Sequence, residues 1–457
     1  MLIHRWGEST LAAGLRVAHH CEWEQPVQAA ANRVLPTDRS AHEWYRFVLS
    51  FPPHLVRDYV GRFGLGPRHT VLDPFCGTGT TLVECKKLGI PSVGVEANPM
   101  AHFASRVKVD WTPDARGLVT HAAQVAADAR AGLAAAGLED EPPIFEGCLQ
   151  VLPEEPLRAL GDEQSRLLLT DSISPLPLHK VLTLCDCMAR QEGLRYQDHE
   201  RLALASAVVA SASNLKFGPE VGVGPPKPDA AAVGPWLAGV KQMGRDLQDL
   251  AGLAHVAATA HLADSRAVAE VLPAGSIDAV ITSPPYPNEK DYTRTTRLES
   301  VLLGFLATRS DLRAMKKHLV RSNTRGVYRA DADDELVASH EGIARIADEI
   351  ERRRLELGKT SGFERMYARL TKLYFGGMKR HFMGLRRVLR PGARLAYVVG
   401  DQASYLRVMI RTGQLLAEIA ESVGYTVLGI DLFRTRFSTA TGEHLREEVV
   451  LLRWAGA

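Results

Sequence analysis

Apolar and aromatic residues recur at helical spacing through AHEWYRFVLSFPPHLVRDYVGRFG, broken only at Phe51-Pro52-Pro53, so residues 1–69 read as a mostly helical lead-in. A short apolar strand, Thr70 to Leu72, follows. Then come the turn DPFCGTGTT and a helix over Thr81-Leu82-Val83-Glu84-Cys85-Lys86-Lys87-Leu88, which Gly89 stops. A second strand, Ser92 to Val95, ends at Glu96 and completes a βαβ unit. Residues 110–255 are Ala- and Leu-rich. HERLALASAVVASASNL and PWLAGVKQMGRDLQDLAGL predict helices, with the Gly/Pro-rich loop FGPEVGVGPPKPDAAAVGP between them. Strand pattern returns at Ile277-Asp278-Ala279-Val280-Ile281, just before TSPPY. Residues 296–385 predict helices again, and Ile343, Ile346 and Ile350 share one face of EGIARIADEIERRRLELGK. The pattern closes with a helix reaching Leu389, a turn at Arg390-Pro391-Gly392, a strand from Arg394 to Val399, the helix GQLLAEIAESVGY, and the strands TVLGIDLF and REEVVLLRW.

The pieces at 70–100, 260–290 and 380–455 predict one Rossmann-like α/β sheet interrupted by two helical insertions. The last two strands are close enough to pair as a hairpin, which makes that edge mixed. A chain of 457 residues can bury a large core without disulfides or metals. Lys plus Arg is 55 against 53 for Asp plus Glu, so the net charge of +2 excludes a strongly basic arm and an acidic disordered chain, but not a local basic face. The 6 cysteines show no paired C-x2-4-C spacing, so no metal site is expected. No signal-peptide core and no apolar run of membrane-spanning length occurs, and the expected compartment is the cytoplasm.

Two constellations carry chemistry. In the first, Asp73 ends a strand, Gly77 and Gly79 lie in the turn before a helix, and Glu96 ends the next strand. Glycines let backbone approach a ligand, a helix start offers free N–H groups, and an acid at that second position grips ribose hydroxyls in doubly wound folds. A dinucleotide fingerprint wants a third small residue where Leu82 stands, so NAD and FAD fit poorly. In the second, Thr282-Ser283-Pro284-Pro285-Tyr286 follows an apolar strand directly. Two prolines there make a stiff corner at the carboxyl end of the strand. The corner displays one hydroxyl, one free carbonyl from Pro284 and one ring, a set that suits a planar base carrying an exocyclic amine.

Together these residues resemble the S-adenosylmethionine-dependent amino-methyltransferases of nucleic-acid bases. DPFCGTG resembles their motif I, GVEANP motif II, LADSR motif III and TSPPY motif IV, and the FPP segment around Phe51 resembles motif X. The resemblance covers about half of the chain in separated blocks, and it implies a Rossmann-like methyltransferase sheet. It implies cofactor contacts from Phe51, Asp73, Phe75, Cys76, Gly77, Thr78, Gly79, Thr80, Glu96, Ala97, Asn98, Asp264, Ser265 and Thr282, with Glu96 on the ribose and Asp264 on the adenine amine. It implies that Ser283, Pro284, Pro285 and Tyr286 hold the target base. Serine before PPY is typical of N4-cytosine DNA methyltransferases; aspartate or asparagine is commoner in N6-adenine enzymes. The order of motifs and the long insertion between motifs II and III depart from the usual N4-cytosine pattern.

The expected division is therefore 1–109, N-terminal helices with the cofactor loop; 110–255, a helical insertion; 256–300, the catalytic part with TSPPY; 301–375, a basic target-recognition region; and 376–457, the C-terminal part of the catalytic domain. DNA contact is expected from DLRAMKKHLVRSNTRGVYR, where Arg313, Lys316, Lys317, Arg321, Arg325 and Arg329 face one acid, Asp311, and Asn323 adds hydrogen bonds. Arg434 and Arg436, after a late strand, are expected near the base. A second basic cluster, Lys359, Arg365, Arg369, Lys372, Lys379, Arg380 and His381, reads either as a backbone track or as a packed helix. The expected function is N4 methylation of a flipped cytosine in double-stranded DNA by a monomer or homodimer at the nucleoid, within a restriction-modification or epigenetic system in which a cognate endonuclease is a candidate partner. Adenine N6 and an RNA base are the alternatives.

Overall fold

The computed structural model describes residues 35–45, 50–142, 150, 152–190, 195–218, 220–438 and 442–456. Of the helical lead-in expected over 1–69, residues 1–34 and 46–49 lie outside the described residues, and the helix Pro53–Phe63 falls within the rest. The strands described are β1 (Val71–Asp73), β2 (Ser92–Glu96), β3 (Leu215–Phe217), β4 (Val221–Val223), β5 (Ala258–Leu262), β6 (Ile277–Thr282), β7 (Leu389–Gly400), β8 (Thr426–Ser438) and β9 (Glu443–Arg453). Seven of them form one sheet in the order β5-β2-β1-β6-β7-β9-β8. The first five are parallel, and β9 runs antiparallel to both β7 and β8. The fold is a Rossmann-like α/β sheet with helices, as the sequence pattern predicts.

Alternation along the strands builds two cores. Leu395, Tyr397 and Val399 of β7 pack with the helices Glu341–Glu356, Tyr367–Leu385 and Thr412–Ser422. Ala396 and Val398 face the other way, onto Leu55, Val56 and Tyr59 of the helix Pro53–Phe63. Both faces are covered, which is why β1 and β6 read as near-continuous apolar runs. Each fully buried aliphatic side chain there contributes roughly 1.5–3 kcal/mol. The helices Ala115–Ala135, Pro175–Ala189, Gln197–Ala207 and Val233–Leu250 share a third apolar core with Leu82, Val83, Met100 and Phe103.

Three expectations change. The helix expected to reach Leu389 ends at Leu385, and β7 already starts at Leu389, because Ile277 of β6 pairs with it. The Gly/Pro-rich segment is not all loop: β4 lies inside it and pairs antiparallel with β3, which begins just before it at Leu215. The helix expected over HERLALASAVVASASNL ends at Ala207, passes through a π-turn, Val208–Ala212, and gives way to β3 at Leu215.

β1 and β6 are neighbours although about 200 residues separate them. From this pair the chain builds outwards in both directions, which opens a crevice at the carboxyl ends of the strands.

Candidate functional site

A cavity of about 340 Å³ opens at that crevice, lined by both sequence constellations. On one side stand Phe51, Phe75, Cys76, Gly77, Thr78, Thr80, Glu96, Ala97, Asn98 and Ser265; on the other stand Ser283, Pro284, Pro285 and Tyr286.

The loop after β1 takes its shape from its glycines. Gly77 and Gly79 have φ of 50° and 87°, and a Cβ on Gly79 would sit 3.0 Å from that of Ser105. Asn98 caps the helix Pro99–Lys108 through its side chain, with Pro99 at the first turn. Glu96 ties loop to strand: one carboxylate oxygen accepts from Gly77 N–H at 2.9 Å, the other from Asn98 N–H at 2.7 Å. Each oxygen keeps a lone pair for a further donor. Burial, with the Asp73 charge adding to it, pushes Glu96 up to about 7.

Four expected cofactor residues do not line the cavity. Asp73 is fully buried and accepts from Thr282 and Thr81 hydroxyls at 2.5 and 2.7 Å and from Phe75 N–H at 3.1 Å, so Asp73 and Thr282 brace the crevice from below. Gly79 packs on Ser105. Asp264 differs most from expectation: its carboxylate is taken by the Arg266 guanidinium at 2.7–3.1 Å and by Arg266 N–H at 2.8 Å, and Ser265 reaches the cavity instead. The carbonyl of Ser265 accepts from His381 Nδ1 at 2.8 Å, and Tyr397 donates to His381 Nε2 at 2.6 Å. Burial lowers His381 to about 4, so its ring is neutral, and it stands edge-on to Phe75 at 4.9 Å.

At the second corner, Ser283 Oγ donates to the Val398 carbonyl at 3.1 Å. Its proton is thereby committed, and towards the cavity the oxygen is an acceptor. The Pro284 carbonyl receives no hydrogen bond from the described residues. Tyr286 N–H donates to the Tyr292 hydroxyl at 3.1 Å, and its ring lies against Gly400, where a Cβ would approach to 3.2 Å. Burial, reinforced by Glu447, keeps the Tyr286 hydroxyl protonated.

Sequence reasoning missed Asp401, Gln402, Glu447, Asn288 and Lys290, all of which line the cavity. Asp401 follows β7 directly. Its Oδ2 accepts from Arg411 at 2.6 Å and from Arg446 Nε and N–H at 3.3 Å, while Oδ1 is buried with no partner among the described residues. Its place at the carboxyl end of an apolar strand, like that of Ser283, was the available signal.

The basic segment divides. Lys316 is buried against Asp291 at 2.7 Å. Arg321 is 4% exposed, and its guanidinium bonds Asp331 twice and the carbonyls of Lys316, Lys317 and Leu319. Both charges are committed inside the protein, so these two do not offer phosphate contacts. Asn323 is also buried and lines the cavity. Arg313, Lys317, Arg325 and Arg329 are exposed, as is Arg436 at the cavity rim, whereas Arg434 is held by Glu447 at 2.6 and 2.8 Å. In the second cluster Arg369 and Arg380 pair with Asp334 and Asp333, and His381 is buried, which favours the packed helix.

The profile of the DNA methylase family, named for its N6 and N4 methyltransferases, matches residues 23–105. Type II methyltransferase M.BsoBI of Geobacillus stearothermophilus is 24% identical over 445 residues, 87% of this chain and 81% of that protein. Type II methyltransferase M.AvaI of Nostoc sp. is 34% identical over 160 residues, 33% of this chain and 31% of that protein. The structure of TrmN from Thermus thermophilus aligns with 91% of this chain and 52% of its own at 10% identity, with a TM-score of 0.29. The sequence matches support, at family level, recognition of the chain as a DNA amino-methyltransferase. Among the described residues no helix is long and apolar enough to cross a membrane.

Proposed function

We propose that the protein transfers a methyl group from S-adenosylmethionine to the N4 amine of a cytosine turned out of double-stranded DNA. The observation that carries this is the direction of the Ser283 hydrogen bond: with its proton given to Val398, Ser283 offers the cavity an acceptor, as does the free Pro284 carbonyl. Two acceptors at one rigid corner match the two hydrogens of an exocyclic amine.

The other half of the cavity fits the cofactor. Glu96 has a spare lone pair on each oxygen for a ribose diol, Phe51 and Phe75 offer apolar rings, and Thr78 Oγ1 is a buried hydroxyl with no partner among the described residues. Bound there, S-adenosylmethionine supplies a methyl group on a sulfonium centre, open to attack by an amine nitrogen. The protein's own part is positioning and charge. Ser283 and Pro284 orient the amine hydrogens, which turns the nitrogen lone pair out of conjugation with the ring. Tyr286 supplies a face for stacking. Asp401 Oδ1, whose companion oxygen is bonded by Arg411 and Arg446, accepts the proton that the methylated amine sheds. Arg313, Lys317, Arg325, Arg329 and Arg436 are the exposed cations offered to the duplex. The Type II relatives support a role as the modification half of a pair with a cognate endonuclease.

The test is nucleoside mass spectrometry of genomic DNA from cells with and without the protein. N4-methylcytosine only in its presence is the expected result. N6-methyladenine instead overturns the choice of base, and neither mark overturns DNA as substrate.

A further inference from the structure

We infer that Lys290 selects the base: its ammonium donates to the O2 carbonyl of the cytosine whose N4 amine rests on Ser283 and Pro284. This rests on the cytosine reading given above, and it names the group that separates cytosine from adenine in the same cavity.

Lys290 lines the cavity together with Ser283, Pro284, Tyr286 and Asn288. The segment that carries it doubles back on the base corner. Asn288 N–H donates to the Tyr286 carbonyl at 2.9 Å, and Lys290 N–H donates to Asn288 Oδ1 at 3.2 Å. Two residues further on, the Tyr292 hydroxyl accepts from Tyr286 N–H at 3.1 Å.

A second set of bonds pins the same segment from the other side. Glu289 has a φ of 64°, a left-handed conformation that a residue with a side chain keeps only when its surroundings enforce it. Its N–H donates to the Ser322 carbonyl at 3.1 Å, and its carboxylate accepts from Thr324 N–H at 3.0 Å and from the Thr324 hydroxyl. Asn323, itself buried, donates from Nδ2 to the Lys290 carbonyl at 3.3 Å. Both backbone polar groups of Lys290 are therefore fixed.

The ammonium is not. It makes no hydrogen bond or ion pair with the described residues, although the side chain is half-buried. Burial, with Arg436 adding to it, lowers Lys290 from the ordinary lysine range. A desolvated cation on a fixed backbone gains from any acceptor brought into the cavity. An ammonium has donors only, so it cannot serve the amine of the base. On the edge of cytosine the amine stands at one end and the O2 carbonyl at the other. Extruded bases are read along that edge. With the amine on Ser283 and Pro284, O2 is the acceptor left for a donor on the Lys290 segment. Adenine carries a C–H at the corresponding place and would leave the ammonium unpaired, which is how a polar site rejects an analogue.

The experiment uses the full chain and two duplexes built on the methylated site mapped in genomic DNA of expressing cells. One holds a mispaired cytosine at the target position and the other an abasic site. Lys290→Met, which keeps an apolar stem, should lower kcat/KM on the cytosine duplex about tenfold to a hundredfold and weaken binding to it. Affinity for the abasic duplex, its salt slope and affinity for S-adenosylmethionine should match wild type. Lys290→Arg, which keeps a charged donor, should restore part of the loss. Equal weakening on both duplexes, with the salt slope reduced by about 1, makes Lys290 a phosphate contact and overturns the inference. Weaker S-adenosylmethionine binding places the ammonium on the cofactor and overturns it too. If wild type makes N4-methylcytosine and Lys290→Met makes it equally fast, the inference fails while the cytosine reading stands. If wild type marks adenine instead, that reading fails and the role of Lys290 fails with it.

Discussion

Thr282 donates its hydroxyl hydrogen to Asp73 at 2.5 Å, and this one bond joins the carboxyl ends of β1 and β6. The loops that leave those two ends carry the two halves of the cavity. Thr282→Val removes the bond and leaves a fully buried carboxylate short of a partner, at a cost of about 1–3 kcal/mol. A lowered melting temperature together with weaker S-adenosylmethionine binding is expected; loss of stability with unchanged affinity would separate the brace from the cofactor half.

Ser283→Ala and Asp401→Asn test the other half. On the proposed function each removes an acceptor for the hydrogens of the target amine, so turnover should fall about tenfold to a hundredfold. Calorimetric affinity for S-adenosylmethionine should stay within error of wild type. An equal loss of cofactor binding would remove both residues from the roles assigned to them.

Arg321 and the pair Arg325 and Arg329 should behave oppositely. Arg321→Ala strands Asp331 and breaks a buried ion pair, which costs about 3–5 kcal/mol and should appear in thermal melting. Arg325→Ala with Arg329→Ala should leave the melt unchanged and reduce the salt slope of duplex binding by about 2. An unchanged slope moves the backbone contacts elsewhere.

Cofactor affinity should depend on pH through Glu96. Burial raises this carboxyl to about 7, so folding takes up a proton between the ordinary carboxylate range and about 7. The group's contribution to stability is full below its unfolded value and lost as pH rises through about 7. Ribose hydroxyls need the ionised acceptor. Binding should therefore weaken as pH falls below about 7, by at most about tenfold per unit. Titrations of wild type and Glu96→Gln across this range check it: the variant should bind more weakly at high pH and show a flatter profile.

What was legible in the sequence was what is local. Gly77, Gly79, Pro284 and Pro285 impose backbone shapes by themselves, and Glu96 and Ser283 end or follow strands that declare themselves by pattern. Asp401 stayed hidden because its meaning comes from Arg411, Arg446 and the far wall of the cavity. Arg321 was misjudged for a related reason. Its partner, Asp331, lies two residues beyond the charged run, and Asp291, the partner of Lys316, lies on another segment. The one acid counted inside the run, Asp311, caps its own helix with Thr308. The β3–β4 ribbon was lost among glycines and prolines whose strand pairing no local pattern announces.

The strand β9, made after β8, slots between β7 and β8 rather than adding to the edge. Its residues Leu445 and Glu447 also line the cavity, and Arg446 holds Asp401. During synthesis β8 therefore waits without its neighbour, and the acceptor wall of the cavity is unfinished, until residues 443–453 have been made. A chain stopped short of that point keeps its cofactor loop and its TSPPY corner but cannot complete the site that uses them. Ribosomal fragments of this protein should be silent on DNA, which confines any mark to finished molecules.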